Sequence, residues 1–266
     1  MNPQSLTVAF IAPVMILVLL VGIYLSNVHP GYLDYYLKED YYLEWWSFLT
    51  LASTSLMTMI VGHQRRIKYN EPFWSVATAG TLLVALVFFF GAGEEVSWLQ
   101  RILGVESGEL FRAHNKQAET NLHNMVINGV SINKLVFGKI LTLAIVIHNI
   151  VLPIMALKNK KWQNLVERFG LFLPSPKLVA IYLIVVIGVS LRLVEHERFR
   201  EIMELGGALH YSAAIFMAYV LGVFNSKPLV TDRHGQTTAV YLFIGMTLFN
   251  AFIALVLAGF KHNLAV

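Results

Sequence analysis

The feature that most constrains this chain is a recurrence of apolar runs about as long as a bilayer is thick. Residues 8–26, 44–62, 73–92, 136–157, 178–194, 205–223 and 238–260 each read as a greasy stretch. Their lengths lie near the ~20 residues that a helical span needs. Only 14% of the 266 residues are charged and 56% are hydrophobic. Soluble domains carry about 25% charged residues, so a water-soluble fold is excluded. The pattern predicts an all-α polytopic membrane protein of about seven transmembrane helices. Spans pack on one another, so residues 1–266 form a single integral-membrane domain.

The first run is expected to stay in the membrane. Met1–Thr7 carries no Lys or Arg, and small residues do not end the run, whereas a cleaved signal peptide needs both features. Pro30–Trp46 holds five tyrosines and two tryptophans, residues that favour the headgroup layer. It reads as an interfacial segment. Within 158–177, Trp162, Leu165, Val166 and Phe169 recur at helical spacing beside lysines. That predicts a short amphipathic helix on a membrane surface.

Seven spans place the basic loops 63–71, 158–177 and 225–237 on one side. The positive-inside rule makes that side cytoplasmic, with the N-terminus inside and the C-terminus external. Of sixteen acidic residues, only Glu71, Glu167 and Asp232 fall there, leaving thirteen on the external side. Acids hardly influence orientation, so their asymmetry needs another cause. A polar site on the external face supplies one.

The segment 91–135 is where that site is expected. It leaves an apolar run with Gly91-Ala92-Gly93, presents Glu94 and Glu95, then Ser97, Gln100 and Arg101, and reaches Glu119, Asn121, His123 and Asn124. If the helix continues past Glu95, Glu94, Ser97 and Arg101 share a face. Adjacent carboxylates at a bilayer boundary repel unless a cation, proton or arginine offsets them. Glu119 and His123, four apart, project together if helical. Carboxylate with imidazole suits zinc or iron, or an acid/base pair. A solvated helix end and an ordinary surface pair are the plainer readings of the same residues.

A second cluster runs from Arg192 to His210 and includes Glu195, His196, Glu197, Arg200, Glu201 and Glu204. His196, Arg200 and Glu204 step by four, as a surface ladder would. Glu204 and His210 enter an apolar run, where charge is costly and therefore functional by default. The expected catalytic groups are Glu94, Glu95, Glu119, His123 and Arg101. The expected metal ligands are Glu95, Glu119, His123, Glu204 and His210. His148 and Asn149, in the middle of a run, read as an interhelical tie or as part of a proton or ion path. Asn250 reads as structural.

There is no cysteine, which removes disulfides and thiolate ligands. Basic residues lie in short loops rather than one stripe, which gives a nucleic-acid partner no support. The HExxH, GxSxG, P-loop and Rossmann patterns are absent.

Gly93-Glu94-Glu95-Val96-Ser97-Trp98-Leu99-Gln100-Arg101, followed by Glu119-Thr120-Asn121-Leu122-His123-Asn124, resembles an uncharacterised family of bacterial polytopic membrane proteins. The match covers about one eighth of the chain. The resemblance implies a bacterial inner membrane and brings no activity with it. A weaker similarity is to alkaline-ceramidase-like seven-span zinc hydrolases, whose paired H-x3-H histidines do not occur here. The expected function is an inner-membrane enzyme with an external Glu/His site, dependent on a divalent metal (zinc or iron) and acting on a lipid or lipid-linked substrate. A proton- or cation-coupled transporter or channel is the alternative, and a structural or accessory subunit is a third reading.

Overall fold

The computed structural model describes residues 1–122 and 124–264, without the side chains of Arg101, Asn133, Phe137 and 260–264. It is predominantly helical, with one two-stranded hairpin among the described residues, Val126–Ile127 against Val130–Ser131. Five helical stretches among the described residues are long and apolar enough to cross a membrane. These are Pro3–Val28, Pro30–Lys68, Val76–Glu95, Lys134–Lys158 and Arg233–Gly259. Two shorter helices complete the bundle: Pro176–Ser190, and Glu201–Ile215 with its π-helical continuation Phe216–Val220.

Helix boundaries follow local chemistry. Asn2 accepts from the Ser5 N–H at 2.7 Å and Pro3 opens the first helix. Ser75 caps Val76–Glu95, and Ser175, followed by Pro176, caps Pro176–Ser190. Each cap supplies one of the acceptors that the first turn lacks. Arg65, Arg66 and Lys68 crowd the last turn of Tyr42–Lys68, where the helix dipole favours cations.

The Glu201 helix is the centre of the bundle. Leu205, Leu209, Ala213 and Tyr219 are among a run of buried residues on every side of it, and it packs on Pro3–Val28, Tyr42–Lys68 and Pro176–Ser190. Small residues allow close crossings. Ser47, Thr50, Thr54 and Thr58 form a buried hydroxyl stripe on Tyr42–Lys68, and Thr54 and Thr58 return their hydrogens to carbonyls four residues back. Such residues let helices approach where lipid offers no hydrophobic drive. At Gly80 a Cβ would lie 1.7 Å from the Phe169 carbonyl oxygen, so this crossing requires glycine.

Residues at the two ends of the bundle differ. One end joins Arg65, Lys68 and Tyr69 to the 225–229 loop, Glu71 to Lys227 and Glu167 to Ser226. The other joins Ser26 to Glu195, Asp34 to His196 and Glu39 to Arg198. The amphipathic helix forms as Lys160–Arg168 at the basic end. Val166 is buried against Ala156 and Leu173, while Leu165 and Phe169 stay exposed.

Candidate cation site at the acidic end

Continuation of the Val76–Glu95 helix through Arg101 does not occur. The helix stops at Glu95, and Ser97, Trp98 and Leu99 take φ values of 47°, 56° and 61°. Three successive left-handed residues other than glycine cost roughly 1–2 kcal/mol each, so something must hold them. Trp98 folds back over Gly93, where a Cβ would meet the ring at 2.7 Å. Its Nε1 donates to Glu94 Oε1 at 3.2 Å. The other oxygen of buried Glu94 accepts the Leu122 N–H at 2.7 Å.

The two motif segments lock through this turn. Ser97 Oγ donates to Glu119 Oε2 at 2.6 Å and accepts from Asn121 Nδ2 at 2.8 Å. Asn121 Nδ2 also reaches Glu119 Oε2 at 3.1 Å. Gln100 takes the Thr120 N–H at 2.7 Å and donates to Ser107 Oγ at 2.7 Å. Residues 119–122 are not helical, so Glu119 does not open a helical turn. Asn115 and Met125 instead form an isolated antiparallel bridge. His123 and the Arg101 side chain lie outside the described residues.

Glu95 faces a different set of groups from Glu94. One carboxylate oxygen each from Glu95, Glu201 and Glu204 lie within 4.8 Å of one another. Glu95 ends one helix, while Glu201 and Glu204 occupy the first turn of the central helix, three residues apart and hence on one face. Glu201 is buried, Glu95 half-buried and Glu204 exposed. Two unit charges 4.8 Å apart repel by about 3–4 kcal/mol at an effective dielectric of about 20. The triad therefore needs protons or a cation.

One cation is built in. Arg198 donates from Nε and Nη2 to Glu201 Oε1 at 3.1 and 3.0 Å, and from Nη1 to Glu39. Burial works against its charge, but the Glu201 and Glu39 carboxylates outweigh it and hold the guanidinium pKa above its ordinary value. Arg198 is shared between Glu201 and Glu39, so it offsets only part of the negative charge gathered at the triad. Glu44, buried in the first turn of Tyr42–Lys68, adds its field to that of the triad.

Of the expected metal ligands, the structure brings Glu95 and Glu204 together and adds Glu201. Glu119 is engaged with Ser97 and Asn121. His210 is fully buried, and its Nε2 pairs with Asn149 Oδ1 at 2.7 Å. It belongs to a different set of side chains. Glu201 was legible as the i−3 partner of Glu204, whose other reading was as a rung of the His196–Arg200–Glu204 surface ladder. That ladder does not form: His196 pairs with Asp34 at 3.0 Å, and the helix begins only at Glu201.

Neither a protein-family model nor a curated protein nor a solved structure matches the chain. Fold and site define it only by class, as a helical membrane protein with a carboxylate cluster at one end of its bundle.

Proposed function

We propose that Glu95, Glu201 and Glu204 hold a divalent cation at the external face of a bacterial inner membrane, in a seven-span enzyme acting on a lipid or lipid-linked substrate. The single observation behind this reading is the convergence of these carboxylates from two helices. The donors in the triad are all oxygen, which suits magnesium, manganese or calcium better than zinc or iron. Three protein oxygens leave coordination positions for water or a substrate oxygen. A bound ion there would polarise a substrate oxygen and lower the pKa of a coordinated water. The seven-span count adds Pro176–Ser190 and the central helix to the five stretches that are long and apolar enough to cross a membrane.

Manganese binding to the detergent-purified full chain tests the reading by electron paramagnetic resonance. One ion per chain is expected in the wild type, with at least tenfold weaker binding in Glu95→Gln and Glu204→Gln. Glu119→Gln should bind as wild type does. Absence of saturable binding in folded wild type would overturn the assignment. With the site established, hydrolysis of lipid substrates should depend on the ion and fall with the same two variants.

A further inference from the structure

A second polar system runs through the bundle interior and involves none of the triad. His210 Nε2 pairs with Asn149 Oδ1 at 2.7 Å, and Asn149 Nδ2 donates to Tyr211 Oη at 2.8 Å. The His148 and Tyr211 rings lie 5.6 Å apart, and those of His210 and Tyr211 5.0 Å apart. His148 Nε2 bonds to the Phe172 carbonyl at 2.9 Å. A carbonyl only accepts, so the His148 hydrogen sits on Nε2 and its Nδ1 is a bare lone pair. The Asn149 pairing gives His210 the same tautomer. Both Nδ1 atoms are buried and make no hydrogen bond.

Beyond these hydrogen bonds, ring contacts extend toward both ends. Tyr182 stacks on His210 at 4.8 Å and lies within the electrostatic reach of Glu204. At the other end, Phe172 packs on Tyr219, whose hydroxyl donates to the Gly170 carbonyl at 2.6 Å. The Arg65 guanidinium lies 4.6 Å over the Tyr219 ring, at the basic end. The titratable groups that line the imidazoles are Tyr182 from Pro176–Ser190 and Tyr211 from the central helix, along with each imidazole itself. His210 also sits beside the Leu178 carbonyl.

A buried unpaired acceptor costs about 1–3 kcal/mol, a cost the bundle also carries at the hydroxyls of Ser47 and Thr50. Two bare imidazole nitrogens in one interior network are instead sites where protons can be taken up. His148 and Asn149 also lie within the π-helical turn Ile147–Val151, a geometry frequent at functional sites.

We propose that this network carries protons between the two ends of the bundle, with His148 and His210 holding the proton in the apolar interior. The proton adds to a bare Nδ1, making an imidazolium, and leaves again from the same ring. Only N–H and O–H bonds form and break, and no electrons are exchanged. The proposal is independent of a bound metal.

The test uses the full chain in phosphatidylcholine–phosphatidylglycerol vesicles that contain a pH-sensitive dye, with a potassium diffusion potential set by valinomycin. Wild type should acidify the vesicles at least tenfold faster than protein-free controls, and EDTA should not change that rate. His148→Gln, which can still donate to the Phe172 carbonyl, should cut the rate at least tenfold with an unchanged gel-filtration profile. His210→Gln should do the same. If His210→Gln does not fold, His148→Gln alone decides. No flux from wild type, or undiminished flux in His148→Gln, overturns the proposal. Manganese binding is scored on separate samples, so either idea can fail alone.

Discussion

Arg198 grips Glu201 Oε1 with two nitrogens, at 3.1 and 3.0 Å, while its third reaches Glu39 in the turn between the helices Pro30–Leu37 and Tyr42–Lys68. One side chain thus ties the start of the central helix to the acidic-end loops and partly neutralises the triad. Arg198→Gln should lower stability by about 1.5–3 kcal/mol, the worth of hydrogen bonds to charged groups. The same change should tighten divalent-cation binding several-fold, because a repelling charge is gone. Thermal unfolding with and without manganese measures both effects.

Ser97→Ala removes the hydroxyl that both donates to Glu119 and accepts from Asn121. The left-handed turn stays strained but loses a clasp. A loss of about 1–3 kcal/mol is expected. Limited proteolysis should show faster cleavage between residues 97 and 122, with the rest of the bundle intact.

Two glycine substitutions should part company. Gly80→Ala places a methyl on the Phe169 carbonyl, so the Val76–Glu95 helix must move away from 169–170. Overpacking of this kind costs about 1–3 kcal/mol or more. Gly245 has open space around it, and Gly245→Ala should be neutral or stabilising by about 0.5–1 kcal/mol. Thermal shifts of the two variants in one detergent provide the comparison.

Asn250 donates to Ser53 Oγ at 2.8 Å and to the Leu49 carbonyl at 3.3 Å, joining the last helix to Tyr42–Lys68. Interhelical hydrogen bonds in membranes average about 0.6 kcal/mol. Asn250→Leu should therefore cost under about 1 kcal/mol and leave manganese binding unchanged. Unfolding in a mixed-detergent titration resolves a difference of that size.

The helices were legible because their apolar runs are long, and the structure brings residues of the loops 63–71, 158–177 and 225–237 together at one end. The interhelical role of Asn149 and the structural role of Asn250 followed from polar groups set in apolar surroundings. The turn at Ser97–Leu99 was not legible. Its conformation is held by Glu119 and Asn121, which lie 22 and 24 residues from Ser97, and by the bond from Trp98 to Glu94, and nothing in the local sequence favours left-handed backbone. Periodicity alone extended the helix and set Glu94 beside Arg101. The grouping of Glu95 with Glu201 needs two helices to meet end to end, which spacing within either segment cannot express.

The central helix presents carboxylates at its start, an imidazole in its middle and neighbours on all sides. Alone in lipid it would expose those groups to hydrocarbon, where they cost several kcal/mol. It is therefore a poor candidate for independent insertion during biogenesis. Its entry into the bilayer should wait for the helices before it, with Glu201 and His210 passing directly from the aqueous or translocon environment to protein partners. A chain truncated soon after residue 220 should then be held at the insertion machinery or degraded unless the five helical stretches before it are already assembled.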